Sequence, residues 1–295
     1  MNRLMKNGRA GLLGVVALVA ALAAVNVARA NPEVYQQTVR STAWVISPRD
    51  DGKASMGSGV LIDAERKLVL TNYHVVLDGP TVVLFFPSYD NDNELVTDPK
   101  QYVENIKGLG IKGKVVRSSA NSDLAIIEAE RLPRGIKAVP LAAKSPSPGQ
   151  TVHAIGNSGA ADEDGALWRY IKGDVRQVYR KKFKSGNKDL TLDITARVVE
   201  TDAATNGGDS GGPVVDDKGR LVAITQSFDT VHRSVSYSID VSEVRILLAD
   251  MGKPKDLAKA PAKKPEPRPE KKPAPRPEGS GNGTSEAARR EVSQR

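Results

Sequence analysis

Between residues 31 and 252 the sequence predicts an all-β domain, on three observations. Short runs rich in Val, Ile, Leu and Thr recur along the segment, turn-forming residues separate them, and helical periodicity develops in one place only, near the end. In order, the candidate strands are 43–47 (AWVIS), 59–63 (GVLID), 68–71 (LVLT), 81–86 (TVVLFF), 112–117 (KGKVVR), 124–128 (LAIIE), 151–155 (TVHAI), 190–199 (LTLDITARVV), 212–215 (GPVV) and 221–226 (LVAITQ). β-Branched residues suit a pleated, half-buried surface. The run at 124–127 has no polar residue at all, so this strand reads as fully apolar. The one helix is expected over 241–251, with Asp240 and Glu243 as a capping box, Gly252 as a left-handed C′ residue and Pro254 blocking continuation. A span of 222 residues fits a single β-rich domain.

The flanks differ in kind from this segment. Residues 1–30 hold four basic residues, no acid, an apolar run from 11 to 25 and the small-residue pattern Ala28-Arg29-Ala30. These are the parts of a signal peptide cleaved after Ala30, the apolar run being shorter than the ~20 residues a bilayer span needs. The expected location is exported, periplasmic or secreted. From 253 to 295 the chain carries eight of its eighteen prolines, twelve basic and six acidic residues, and almost nothing that could build a core. A disordered Pro/Lys-rich tail is expected there, a solubilising extension or a tether to anionic cell-envelope polymers.

With the ends set aside, residues 31–252 hold 27 basic and 29 acidic residues, a net of −2. The formal +8 of the whole chain therefore sits in the flanks, which argues against a specific nucleic-acid-binding domain. The absence of cysteine excludes disulfides, thiolate metal sites and a cysteine nucleophile.

Chemistry concentrates in Thr201–Val214, TDAATNGGDSGGPV, where Ser210 lies among glycines just before an apolar strand. Glycines allow close approach of a substrate carbonyl, and the N–H groups of Gly208 and Ser210 are placed to converge on a developing oxyanion. A serine hydroxyl needs a base, and histidine has the pKa for it. Three exist: His74 after the strand 68–71, His153 within 151–155, and His232 in a polar loop. Spacing alone does not choose among them. Asp123, at the entry of the apolar strand 124–128, is a candidate to orient an imidazole or, equally, a turn residue.

Taken together, GSGVLID (57–63), LTNYHVV (70–76), SDLAII (122–127), AIGNSG (154–159) and the serine loop occur in one order. In this they resemble the trypsin-like serine proteases of the chymotrypsin clan, specifically the Do-like (high-temperature-requirement) branch. The resemblance implies two six-stranded antiparallel β-barrels with a C-terminal helix and a cleft between them. It further implies His74 as general base, Asp123 as its orienting carboxylate and Ser210 as nucleophile, chemistry that needs no cofactor. It places the floor of the specificity pocket at Ala204, beside Thr205. Without a carboxylate there, a small or medium apolar side chain is expected at the cleaved position rather than Arg or Lys. Thr225 corresponds to the position where glutamate-specific relatives carry histidine, which argues against that specificity. Tyr237 lines or supports the pocket or packs in the core.

Several features depart from the branch. No PDZ domain is expected between the helix and the tail. Asp209 stands where the branch has Asn, and is expected to pair with a basic loop residue or to be solvated. The acidic cluster Tyr89–Glu94 is expected to be a solvated loop rather than a calcium site, and the basic segment 176–188 a solvated hairpin tip. Do-like relatives are often trimers, so a homo-oligomer is admissible, with no residue marking it. The function expected is an exported serine endopeptidase acting on unfolded or extended polypeptides in quality control or processing. The competing expectation is a catalytically silent scaffold or holdase.

Overall fold

The computed structural model describes residues 32–49, 52–77, 79–162, 165–186, 191–228 and 235–252. All of them fall in the first of two units, residues 1–258. The segment 1–30, the tail 253–295 and His232 lie outside the described residues.

Twelve strands close into two barrels, each from one half of the chain. The first contains β1 (Thr42–Pro48), β2 (Ala54–Asp63), β3 (Leu68–Thr71), β4 (Thr81–Phe85), β5 (Ile111–Ser119) and β6 (Leu124–Ala129), in the order β1-β2-β3-β6-β5-β4. The second contains β7 (Thr151–Gly156), β8 (Arg169–Gly186), β9 (Thr191–Thr201), β10 (Pro213–Val215), β11 (Leu221–Phe228) and β12 (Ser236–Asp240), in the order β10-β11-β12-β9-β8-β7. Antiparallel closure of β4 on β1 (Leu84 opposite Val45) and of β10 on β7 (Val214 opposite Ala154) leaves neither sheet with a free edge along those strands. The two six-stranded antiparallel barrels expected from the sequence are therefore present.

Period-two alternation explains how the barrels meet. On β6, Ala125 and Ile127 fill the first barrel with Val45, Leu61, Val69 and Leu84. Its alternate residues Leu124 and Ile126 face the other way, joining Ile194, Val198, Ile224 and Ile239 of the second barrel in a shared cluster. From Leu124 to Ile127 this strand is apolar because both of its faces are buried there, each Ile or Leu contributing roughly 1.5–3 kcal/mol. A third cluster, Val152, Val175, Val199, Val214 and Val222, fills the second barrel.

Two strands have no counterpart among the sequence expectations. β8 is rich in Lys and Arg, and its extended form follows from pairing with β9 from Val175 to Gly186 rather than from an apolar pattern. The basic segment read as a solvated hairpin tip is thus mostly regular strand. β12 is short and its buried positions include Ser236 and Ser238, which hide it from a hydrophobicity pattern. Four short helices were also not anticipated: α1 (Pro32–Val39), α2 (Tyr73–Val76), α3 (Pro99–Glu104) and α4 (Ile106–Leu109). None is long enough to establish a period of 3.6.

The expected helix is α5 (Val241–Ala249), continued by a 3₁₀ turn over Asp250–Gly252. Asp240 caps it, accepting from the Ser242 N–H at 2.8 Å. Glu243 does not complete the box. It turns toward the second barrel and accepts from the Arg197 N–H (2.8 Å) and the Arg180 guanidinium (3.2 Å). In the acidic cluster, Asp90 Oδ1 accepts the N–H groups of Asp92 and Glu94 and closes a turn, and no carboxylate cluster with metal-binding geometry occurs among the described residues. Nor does any described helix have the length and apolarity to cross a membrane.

Candidate active site

Strand register assembles the first half of the site. β3 pairs with β6 with Thr71 opposite Ala125, so the residues leaving β3 lie beside those entering β6. That brings α2, which carries His74, against Asp123. Asn72 fastens the junction, its side-chain amide donating to the Asp123 carbonyl at 2.8 Å. Asp123 adopts a left-handed backbone (φ 51°), a conformation that aspartate tolerates better than most residues.

The Asp123 carboxylate is fully buried and accepts three hydrogen bonds. Oδ1 takes the His74 backbone N–H at 2.9 Å; Oδ2 takes His74 Nδ1–H at 2.7 Å and the Gln226 side-chain amide at 3.1 Å. A buried acceptor opposite Nδ1 fixes the tautomer and leaves the Nε2 lone pair free. Burial of the ring works against its protonation, but the Asp123 charge and hydrogen bond outweigh it and the His74 pKa is raised above its ordinary value.

The second half comes from the turn before β10. Gly208 (φ 93°) and Gly211 (φ 87°) both adopt backbone angles that favour glycine. A side chain on Gly211 would collide with the Ser58 carbonyl. The Gly211 N–H donates to the Thr225 carbonyl at 2.8 Å, pinning the turn to β11. Ser210 is half-buried and its hydroxyl donates to the Gln226 carbonyl at 3.0 Å, not to His74. Gln226 thus touches both halves of the site, and its amide also reaches Ser185 Oγ on β8 at 2.8 Å. Nothing in the sequence reading singled out Gln226. The only available signal was a polar residue ending an otherwise apolar run.

Asp209 is neither ion-paired nor solvated, contrary to expectation. It is 1% exposed, with Oδ1 accepting the Ser158 N–H at 3.0 Å and Oδ2 the Asn206 N–H at 2.8 Å. Burial raises its pKa against the opposing pull of these bonds and of Arg169. Two backbone donors therefore occupy the place expected for a basic side chain.

Of the three residues expected to line the substrate pocket, Ala204 is exposed. Thr205 and Thr225 are buried at 7% and 2% exposure. Thr205 donates to Ser236 Oγ at 2.8 Å, and the main chain of Thr225 is held by Gly211 and Gly212 beneath the serine turn. Tyr237 packs beside Phe183 with the Lys181 ammonium 4.2 Å from its ring centre. His153 has other partners. It is 1% exposed and held by the Tyr170 hydroxyl (2.7 Å) and Asp217 (2.8 Å).

Comparison with known proteins bears on the fold and the family. The serine protease HtrA-like of Staphylococcus aureus is 25% identical over 210 residues, covering 69% of this chain and 24% of its own length. HhoA of Synechocystis sp., a serine protease by name, is 25% identical over 206 residues, covering 70% of this chain and 45% of its own length. The chain thus spans less than half the length of these curated relatives. Among solved structures, the protease Rv3671c of M. tuberculosis in its active form superposes with a TM-score of 0.58 at 22% identity, over 76% of this chain and 86% of that one. The serine endoprotease from Yersinia pestis gives 0.54 at 17% identity, over 76% and 66%. The trypsin-like peptidase domain matches residues 57–224, more than half of the sequence, and the chain belongs to that family of serine peptidases.

Proposed function

We propose that this protein is a serine endopeptidase that cleaves unfolded or extended polypeptides, with His74, Asp123 and Ser210 as its catalytic residues. The observation that carries the reading is the 2.7 Å bond from His74 Nδ1–H to a fully buried Asp123 carboxylate, next to a glycine-rich turn presenting Ser210. Rotation of the Ser210 hydroxyl from the Gln226 carbonyl toward His74 Nε2 starts the reaction. His74 takes the proton as Oγ attacks the peptide carbonyl, Asp123 stabilises the imidazolium, and the Gly208 and Ser210 N–H groups receive the oxyanion. His74 then protonates the leaving amine, and water hydrolyses the acyl-enzyme with His74 again as base. The exposed Ala204 supports a small or medium apolar residue on the acyl side of the cleaved bond. The signal-peptide pattern of residues 1–30 supports an exported enzyme in quality control or processing, and the basic tail supports contact with anionic envelope polymers.

The resting bond from Ser210 to Gln226 favours one second reading, a scaffold or holdase whose serine stays parked. Labelling with a fluorophosphonate separates the two. A single adduct by mass on the wild-type protein, missing from Ser210→Ala and His74→Ala, supports the peptidase. No adduct, even with unfolded polypeptide present, supports the scaffold.

A further inference from the structure

Outside the triad, two polar residues with no exposed surface are densely bonded beside the serine turn: Ser58 on β2 and Asn157 at the end of β7. Asn157 donates its backbone N–H and a side-chain N–H to the same atom, Ser58 Oγ, each at 3.0 Å. A hydroxyl has two lone pairs and one proton. With both acceptor positions filled by Asn157, the Ser58 proton has one direction left, and it donates to the Gly208 carbonyl at 2.9 Å. The Ser58 backbone N–H donates to the Ser210 carbonyl at 2.7 Å.

One residue of the first barrel therefore holds the carbonyls of both residues whose N–H groups must face an oxyanion. Those two N–H groups have no acceptor among the described residues. Asp209, between them, is tied to Ser158, the neighbour of Asn157. Gly208 lies so close to Asn157 that a side chain there would come within 2.7 Å of the Asn157 carbonyl.

The network continues outward. Asn157 Oδ1 accepts the Trp168 N–H at 3.1 Å, and Trp168 sits at φ 61°, a strained conformation for a bulky residue. Its carbonyl accepts the hydroxyl of Tyr35 on α1 at 3.0 Å and its indole N–H donates to the Val96 carbonyl at 3.2 Å. Strain of this kind persists only where surrounding bonds over-determine it.

We infer that Ser58 and Asn157 are positioning residues that preset the oxyanion-binding turn, and that Tyr35 of α1 anchors the outer end of the same network. The inference rests on the peptidase reading, because an oxyanion forms only if Ser210 attacks. Preset donors contribute to rate only when charge develops on the carbonyl oxygen, so they act on kcat and leave ground-state binding alone.

The test compares wild type, Ser58→Ala, Asn157→Asp and Tyr35→Phe. It measures kcat and KM on a peptide substrate, affinity for a peptide boronic acid that forms a tetrahedral adduct, affinity for the product peptide, and thermal unfolding. Losing an oxyanion donor outright lowers rate by ~10²- to 10³-fold, and a mispositioned donor forfeits part of that. The expected result is a kcat loss of about 10-fold or more for Ser58→Ala and Asn157→Asp and about 2- to 5-fold for Tyr35→Phe. Boronate affinity should fall in proportion, with KM and product affinity within about twofold. Folded variants with unchanged kcat overturn the inference, as does a parallel loss of product affinity, which marks a distorted cleft. If both buried variants fail to fold, Tyr35→Phe decides it in the same terms. A wild-type protein that forms no fluorophosphonate adduct removes the peptidase reading and this inference together. An active wild type with unaffected variants removes the inference alone.

Discussion

The Gln226 side-chain amide donates to Asp123 Oδ2 at 3.1 Å while the carbonyl of the same residue accepts the Ser210 hydroxyl at 3.0 Å. A single position on β11 thus supports the carboxylate that orients the candidate base and holds the candidate nucleophile at rest. Gln226→Leu keeps the carbonyl and the approximate volume but removes the donor. Hydrogen bonds to charged groups contribute roughly 1.5–3 kcal/mol, so kcat/KM should fall by about 10-fold or more. Loss of that donor leaves more negative charge to act on His74, so the acid limb of the pH profile should move to higher pH. A limb that moves down, or an unchanged rate, would show that the amide does not support Asp123.

The raised pKa of His74 sets the sign of the pH dependence. Only neutral imidazole can act as base, so kcat/KM should rise with pH through a midpoint above 6.5, the ordinary value. The stability contributed by the protonated pair has the opposite sense. It is fully present below the unfolded pKa and is lost as pH rises through the folded one. Asp123→Asn removes the charge and offers Nδ1 an amide, so the limb should shift to lower pH and kcat should fall by about 10⁴-fold. Titration of the rate between pH 5 and 9 checks both, and a variant limb at or above that of the wild type contradicts the assignment.

How much of this was legible in sequence depends on whether a residue's role is local. The run 124–127 reads as a buried strand because two packed faces demand apolar residues at every position, and the structure puts β6 between two cores. His74 and Asp123 are readable as candidates because each adjoins such a strand, but their 2.7 Å contact depends on the register that places Thr71 opposite Ala125. Ser58, Asn157 and Gln226 were invisible as functional residues. Each is one polar side chain beside an apolar run, and the bonds that tie it to the site reach distant residues: Ser58 to Gly208, Asn157 to Ser58, and Gln226 to Asp123 and Ser185. β8 was missed for a related reason, since its strand form is imposed by β9 and not by its own composition.

Ala204 offers a direct test of where specificity is set. It is exposed beside the serine turn and carries no charge. The wild-type enzyme should therefore cleave after small or medium apolar residues and discriminate against Arg and Lys. Ala204→Asp places a carboxylate at the proposed pocket floor, and the ratio of kcat/KM for an Arg substrate over a Leu substrate should rise by at least about 10-fold. A ratio that does not move would place the pocket floor elsewhere in the second barrel.

Asp209 holds the serine turn through both carboxylate oxygens, each accepting one backbone N–H. Asparagine has the same shape but one acceptor oxygen, so Asp209→Asn sets its NH₂ against the N–H of either Ser158 or Asn206. Because these bonds fix the residue between Gly208 and Ser210, kcat should fall by about 10-fold with little change in KM. Stability should respond differently from rate. Burial raises the Asp209 pKa above 3.8, so the native state binds more protons than the unfolded chain, and this group makes stability fall as pH rises through its folded pKa. Removing the ionisable group removes that contribution. The variant should therefore lose activity while its unfolding temperature becomes less dependent on pH just above 3.8. Denaturation curves across that range, measured beside kcat, separate a loss of positioning from a loss of fold, because a variant that is merely destabilised would lose both together at every pH.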